Sequence, residues 1–131
     1  MILVDTSVWI DYFNGIDSRQ TAKLDVSLSS TLIVSGDLII AELLQGFRAD
    51  NDFQIAKSLL ENLEQVPLCN SEMAIKSAQN YRLLRKQGIT VRKTIDCIIA
   101  TYCIENDLAL LYSDRDFEPF VSCLNLKSAL D

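Results

Sequence analysis

The sequence predicts an α/β protein: a parallel sheet covered by helices on both faces. Two observations carry this. Short apolar runs alternate with segments of helical spacing along the chain, and turn or capping residues punctuate the joins. Ligand sites in such sheets lie beyond the carboxyl ends of the strands, and two acids, Asp5 and Asp114, fall at such ends.

Ile2-Leu3-Val4 is a buried-strand signal closed by Asp5. Ser7 to Phe13 has helical spacing, with Val8, Trp9, Tyr12 and Phe13 apolar, and Asn14-Gly15 stops it. Residues 18–29 read as a weaker second helix. Thr31-Leu32-Ile33-Val34-Ser35 is the second strand, turned by Gly36, and Asp37 is placed to cap a helix from Leu38 to about Phe47. A helix from Asn51 to Leu63 and a short strand from Gln65 to Leu68 follow. Ser71 is placed to cap a long helix to about Gln87, with Gly88 as its C′ residue. Thr94 is placed to cap another helix through about Asn106. Leu108-Ala109-Leu110-Leu111-Tyr112 is a strand, Asp116 to Phe120 one helical turn, and Leu124 to Leu126 an edge strand.

Composition narrows the chemistry. The 131 residues suit one compact domain, 1–131, and 49% hydrophobic residues suffice for a core. The net charge of −6 means that nucleic acid would be held only through a local basic patch or through bound metal. There is no histidine, which removes a Ser-His-Asp triad, a Cys-His dyad, an HExxH zinc site and a histidine-pair ribonuclease. Cys69, Cys97, Cys103 and Cys123 form no C-x-x-C pair; apolar neighbours predict four small core residues, and reduced thiols fit a cytoplasmic location. The first residues have no basic stretch of a signal peptide, and no apolar run reaches the ~18 residues of a membrane span. The scattered Gly15, Gly36, Gly46 and Gly88 build neither a P-loop nor a G-x-G-x-x-G turn.

Four acids stand where apolar neighbours predict burial. Asp5 ends Ile2-Leu3-Val4, Glu42 interrupts an apolar helix, Asp96 sits inside Thr94-Ile95-Asp96-Cys97-Ile98-Ile99-Ala100, and Asp114 follows Leu110-Leu111-Tyr112-Ser113. A buried carboxylate is costly unless paired or bound to metal, and a cluster of them repels itself. A divalent cation offsets that repulsion, and Mg²⁺ and Mn²⁺ prefer oxygen ligands. Each acid also has a simpler reading: Asp5 as a helix cap, Asp96 as a charge at a helix start, Asp114 in a turn with Asp116, Glu42 on a polar stripe shared with Gln45.

The order and context of these acids resemble a known family. Met1-Ile2-Leu3-Val4-Asp5-Thr6-Ser7-Val8-Trp9-Ile10-Asp11 resembles the opening of PIN domains, in particular VapC-type toxins of type II toxin–antitoxin pairs. Ala41-Glu42-Leu43-Leu44-Gln45-Gly46, the segment around Asp96, and Ser113-Asp114-Arg115-Asp116-Phe117 look like the second, third and fourth acidic motifs. The resemblance implies a Rossmann-like three-layer α/β/α sandwich with a central, mainly parallel sheet. It implies an endoribonuclease that inhibits translation, with Asp5, Glu42, Asp96 and Asp114 as catalytic acids and ligands of Mg²⁺ or Mn²⁺. Asp116 is a candidate fifth acid, and Thr6 or Ser7 would orient the carboxylates.

The resemblance further implies a homodimer and a cognate antitoxin that covers apolar surface. Trp9, Ile10 and Phe13, with Leu43, Leu44 and Phe47, are candidates for that surface, ordinary core being the alternative. RNA must also reach an acidic site. Between Met73 and Ile95 there is no Asp or Glu, while Arg82, Arg85, Lys86, Arg92 and Lys93 are present. Arg92, Lys93 and Arg115 are the candidates for RNA phosphate contact, against a solvated face. Tyr12, Tyr81 and Tyr102 could stack on bases or pack in the core. A PIN nuclease of RNA maturation, a structure-specific DNA nuclease and a non-catalytic PIN-like scaffold stay open as alternatives.

Overall fold

The computed structural model describes residues 1–30 and 32–130. Five strands are present: β1 (Ile2–Val4), β2 (Ile33–Gly36), β3 (Glu64–Val66), β4 (Ala109–Leu111) and β5 (Lys127–Ser128). Seven α-helices join them: α1 (Thr6–Phe13), α2 (Arg19–Ser30), α3 (Asp37–Gln45), α4 (Asp50–Glu61), α5 (Ser71–Lys86), α6 (Thr94–Glu105) and α7 (Glu118–Leu124). A 3-10 turn, Arg115–Phe117, precedes α7.

The strands order as β3-β2-β1-β4-β5, and each ladder is parallel. β1 is central because all three of its residues are apolar and buried; only such a strand tolerates a covered sheet on both faces. Its register sets Ile2 against Ile33 on one side and against Ala109 on the other. Right-handed crossovers then place α1 to α4 on one face and α5 to α7 on the other. The packing agrees: α1 lies against α2 and α3, and α5 against α6 and α7. The expected α/β/α layering with a parallel sheet is therefore what the chain adopts. The chain leaves β1 for β2 on one side and returns to β4 on the other, so β1 and β4 flank the point where the strand order reverses. That is where a crevice opens above a sheet of this kind.

Several local expectations shift. The second strand begins at Ile33, and the expected Thr31 lies outside the described residues. Asp37 is the first residue of α3, with Gly36 at the cap position; its Oδ1 accepts from Leu38 N at 2.8 Å and from Leu68 N at 3.0 Å, joining α3 to the chain beyond β3. Asn70, one residue before the expected Ser71, caps α5 by accepting from Met73 N at 2.9 Å. Lys93 takes the cap position of α6 in place of Thr94, with no side-chain bond. Gly88 follows α5 at φ +81°, the left-handed conformation that favours glycine. The last strand is Lys127–Ser128 and not 124–126, because α7 continues to Leu124 and Asn125 turns the chain at φ 64°. Two cysteines, Cys97 and Cys103, are buried; Cys69, in the segment before α5, and Cys123, near the end of α7, are exposed, against expectation. Among the described residues no helix is long and apolar enough to cross a membrane.

Candidate active site

The first carboxylate is placed by the end of β1. Asp5 N donates to Leu111 O of β4 at 2.9 Å, so the residue stays in the sheet as the chain enters α1. Its side chain caps α1: Oδ2 accepts from Ser7 N at 3.0 Å and from Ser7 Oγ at 2.6 Å. Ser7 Oγ in turn accepts from Ser113 N at 3.1 Å. One hydroxyl thus ties Asp5 to the loop after β4 that carries Asp114. The cap reading of Asp5 holds, and the cap also fixes the carboxylate at the crevice.

The other acids converge from three further elements. Glu42 projects from α3, and its Oε1 accepts from Thr6 Oγ1 at 2.9 Å. Asp114 follows β4 and uses Oδ1 to accept from Asp116 N at 2.9 Å. Each of these carboxylates keeps a second oxygen after its orienting bond. Asp96, on the first turn of α6, is different: it is 5% exposed, and its buried Oδ2 has no hydrogen-bond partner. Asp5, Glu42, Asp96 and Asp114 line one cleft of about 220 Å³, together with Thr6, Ser7, Ile10, Gln45 and Lys93.

Electrostatics follow from this crowding. Burial raises the Asp96 pKa to about 7, with repulsion from Asp5, Asp114 and Glu42 adding to it and Lys93 opposing it. Burial likewise raises Asp5, against the Ser7 hydrogen bonds that favour its charged form. Oxygens of Asp96, Asp114 and Asp116 lie within 4.8 Å of one another. A partnerless buried oxygen beside three more carboxylates suits a hard divalent cation, which supplies the missing charge and takes oxygen ligands.

A family model for the PIN domain matches residues 2–120. The chain belongs to the PIN-domain family. Two mycobacterial relatives, a VapC ribonuclease of Mycobacterium bovis (Mb1587) and ribonuclease VapC11 of Mycobacterium tuberculosis, are each 33% identical over 134 residues, 98% of this chain and 98% of theirs. The solved structure of VapBC2 from Rickettsia felis, bound to a DNA fragment from their promoter, matches with a TM-score of 0.76 at 18% identity, covering 98% of this chain and 97% of that one. That likeness concerns the fold.

Around the cleft of this PIN domain the basic candidates separate. Lys93 lines the wall. Arg92 Nη2 sits on Asp116 Oδ1 at 3.0 Å, so Asp116 holds a counter-ion of its own. Arg115 is exposed and is not on the cleft wall. Gln45, which the sequence offers only as a companion of Glu42 on a polar stripe, lines the cleft as well, three residues after Glu42 on the same helix face. Of the apolar candidates, Trp9 and Leu43 are buried core at 0% and 3% exposure. Ile10, Phe13 and Phe47, with Leu43 at its base, line a groove of about 160 Å³ together with Asn14, Glu42 and Gly46, and Ile10 and Glu42 also face the acidic cleft. Leu44 packs partly buried against the core.

Ser7 makes a local prediction. Ser7→Ala removes the hydroxyl shared by Asp5 and the Ser113 amide. Loss of such an orienting partner is expected to weaken divalent-cation binding at this cleft about 10- to 100-fold with the fold retained. Calorimetric titration checks this; unchanged affinity would assign Ser7 to helix capping alone.

Proposed function

We propose that this PIN domain hydrolyses RNA phosphodiester bonds internally, as the toxin of a toxin–antitoxin pair, using Mg²⁺ held by Asp5, Asp96 and Asp114 with Glu42 beside it as the base. The observation that carries this reading is the meeting of these four carboxylates in one cleft, with the Asp96 Oδ2 buried and partnerless. Mn²⁺ has the same ligand preference and is the expected substitute. The relatives named above as VapC ribonucleases support the RNA substrate.

The cation, when bound, supplies Lewis acidity for phosphodiester hydrolysis and offsets the repulsion among the acids. The protein's own side chains do the rest. Asp5 and Asp96 would be the cation's main ligands, and Asp114 would complete the set. Thr6 holds Glu42 through Oε1, which leaves the other oxygen to take the proton of the attacking water. As the water oxygen bonds to phosphorus, the bond to the leaving ribose oxygen breaks, and that oxygen takes up a proton from solvent. Lys93 brings positive charge to the wall where the phosphate enters.

The partner reading follows from the groove beside the cleft. Its apolar wall of Ile10, Phe13 and Phe47 fits an amphipathic antitoxin segment, and the acids beyond it fit a basic side chain carried by that segment. The working form is a homodimer in the cytoplasm.

The test is cleavage of total cellular RNA by purified protein with Mg²⁺, with Mn²⁺ and with EDTA, alongside folded Asp5→Asn. Cleavage should require the metal and fall at least about 100-fold in the variant. Undiminished cleavage by folded Asp5→Asn would remove Asp5 from the machinery, and failure to bind metal would favour a non-catalytic scaffold.

A further inference from the structure

A second cavity adjoins the acidic cleft across the first turn of α6. Lys93 and Asp96 face the cleft, whereas Thr94 and Cys97, the residues that follow them, face a groove between α5 and α6. This groove measures about 420 Å³. Its α5 wall is one helical face, from Ala74 and Ala78 to Tyr81, Arg82 and Arg85. Short side chains at Ala74 and Ala78 leave it open at one end. At the other, the Arg85 guanidinium lies over the Tyr81 ring at 5.7 Å from the centroid.

Charge distinguishes this groove from the other cavities. Among the described residues Lys57, Lys76, Arg92 and Lys127 each sit on a carboxylate; Arg82 and Arg85 belong to the larger group of cations that have none within ion-pair reach, and they alone of that group share a cavity with an aromatic ring. The chain has 18 acids to 12 bases, yet no acid lines this groove and none occurs between Met73 and Ile95. The cavity of equal volume between α1 and α2 is lined instead by Asp17 and Asp25, which would repel an anion. An aromatic ring with two unpaired guanidinium groups is the set that holds a single-stranded nucleotide: a base stacks on the ring and phosphates meet the cations.

We infer that the groove between α5 and α6 is a subsite for single-stranded RNA, taking nucleotides that flank the scissile bond, with Arg82 and Arg85 on phosphate and Tyr81 against a base. It rests on the ribonuclease reading above and extends the path of the strand from the cleft past Lys93. The subsite explains how an acidic protein keeps hold of a polyanion without drawing on the carboxylate cluster itself.

Fluorescence anisotropy with labelled oligouridylates of two and eight nucleotides, in EDTA so that the strand stays intact, tests it. The Arg82→Gln/Arg85→Gln protein should bind the eight-nucleotide strand about tenfold more weakly. Its slope of log affinity against log salt should be shallower by about 1.4, since each single-strand phosphate contact contributes about 0.7. Tyr81→Leu should lose about tenfold in affinity with the slope unchanged. Binding of the two-nucleotide strand should not respond to either change. An unaltered slope in the double variant, or no binding of the longer strand by the unmodified protein, overturns the subsite. Sedimentation of the same samples covers the remaining case: a double variant that changes oligomeric state makes the groove an interface between copies and overturns the proposal. Metal-dependent cleavage of total RNA by the unmodified protein, run in parallel, separates the two readings. Cleavage without arginine-dependent binding removes the groove alone; loss of both removes the ribonuclease reading as well.

Discussion

Asp96→Asn is expected to make the metal-free protein more stable at neutral and higher pH while removing its nuclease activity. The Asp96 carboxyl has its pKa raised from 3.8 to about 7 by burial and by neighbouring acids. A carboxyl raised on folding binds its proton more tightly in the folded state. Stability from this group is therefore fullest below about pH 4, falls as pH rises from about 4 to 7, and is lost above that window. Each pKa unit corresponds to about 1.4 kcal/mol, which bounds the effect near 4 kcal/mol. Because the cleft opens to water, about 2–4 kcal/mol is the expected gain for the asparagine variant at pH 8. Urea unfolding in EDTA at pH 4 and pH 8 measures it: the two proteins should converge at the lower pH and separate at the higher one. Added Mg²⁺ should reverse the order, stabilising the unmodified protein and leaving the variant little changed. An Asp96→Asn protein less stable than the original at pH 8 in EDTA would mean that Asp96 stores no repulsion.

Gly36→Ala should destabilise the protein by about 1–3 kcal/mol and weaken Mg²⁺ binding with it. A Cβ at position 36 would come within 3 Å of three side-chain carbons of Leu68. Leu68 is 1% exposed, and its N–H is held by Asp37, so it has little room to yield. The strain falls where β2 passes into α3, the helix that carries Glu42 toward the cleft. Leu68→Ala in the same chain should recover part of the loss, so that the two substitutions cost less together than their sum. Unfolding midpoints of the single and double variants test this, and a Gly36→Ala midpoint equal to the original would show that Leu68 repacks freely.

Much of the site was legible because its carboxylates contradict their surroundings. Asp5, Glu42 and Asp96 interrupt apolar runs, and hydrophobic spacing assigns those runs to elements without help from the fold. Helix starts were less legible. Asn70, Gly36 and Lys93 hold the cap positions expected for Ser71, Asp37 and Thr94, since residues one step apart compete for a cap and packing selects between them. Cysteine burial was half legible: apolar neighbours predict a core site, but Cys69 lies between β3 and α5 and Cys123 on the outward side of α7, where the sequence neighbours do not decide exposure.

Alternation of apolar runs and helical segments, by itself, determined an α/β fold with a parallel sheet, because period and length distinguish strand from helix locally. The absence of histidine likewise left acid–base and metal chemistry to carboxylates, Lys, Tyr, Cys or Ser. Tertiary structure alone decided which side chains meet. The reversal of strand order at β1 and β4 brings residues 5, 42, 96 and 114 to one cleft, and it seats Arg92 on Asp116. Those are contacts between residues far apart in the chain, set by crossover handedness and layer packing, and no local pattern encodes them.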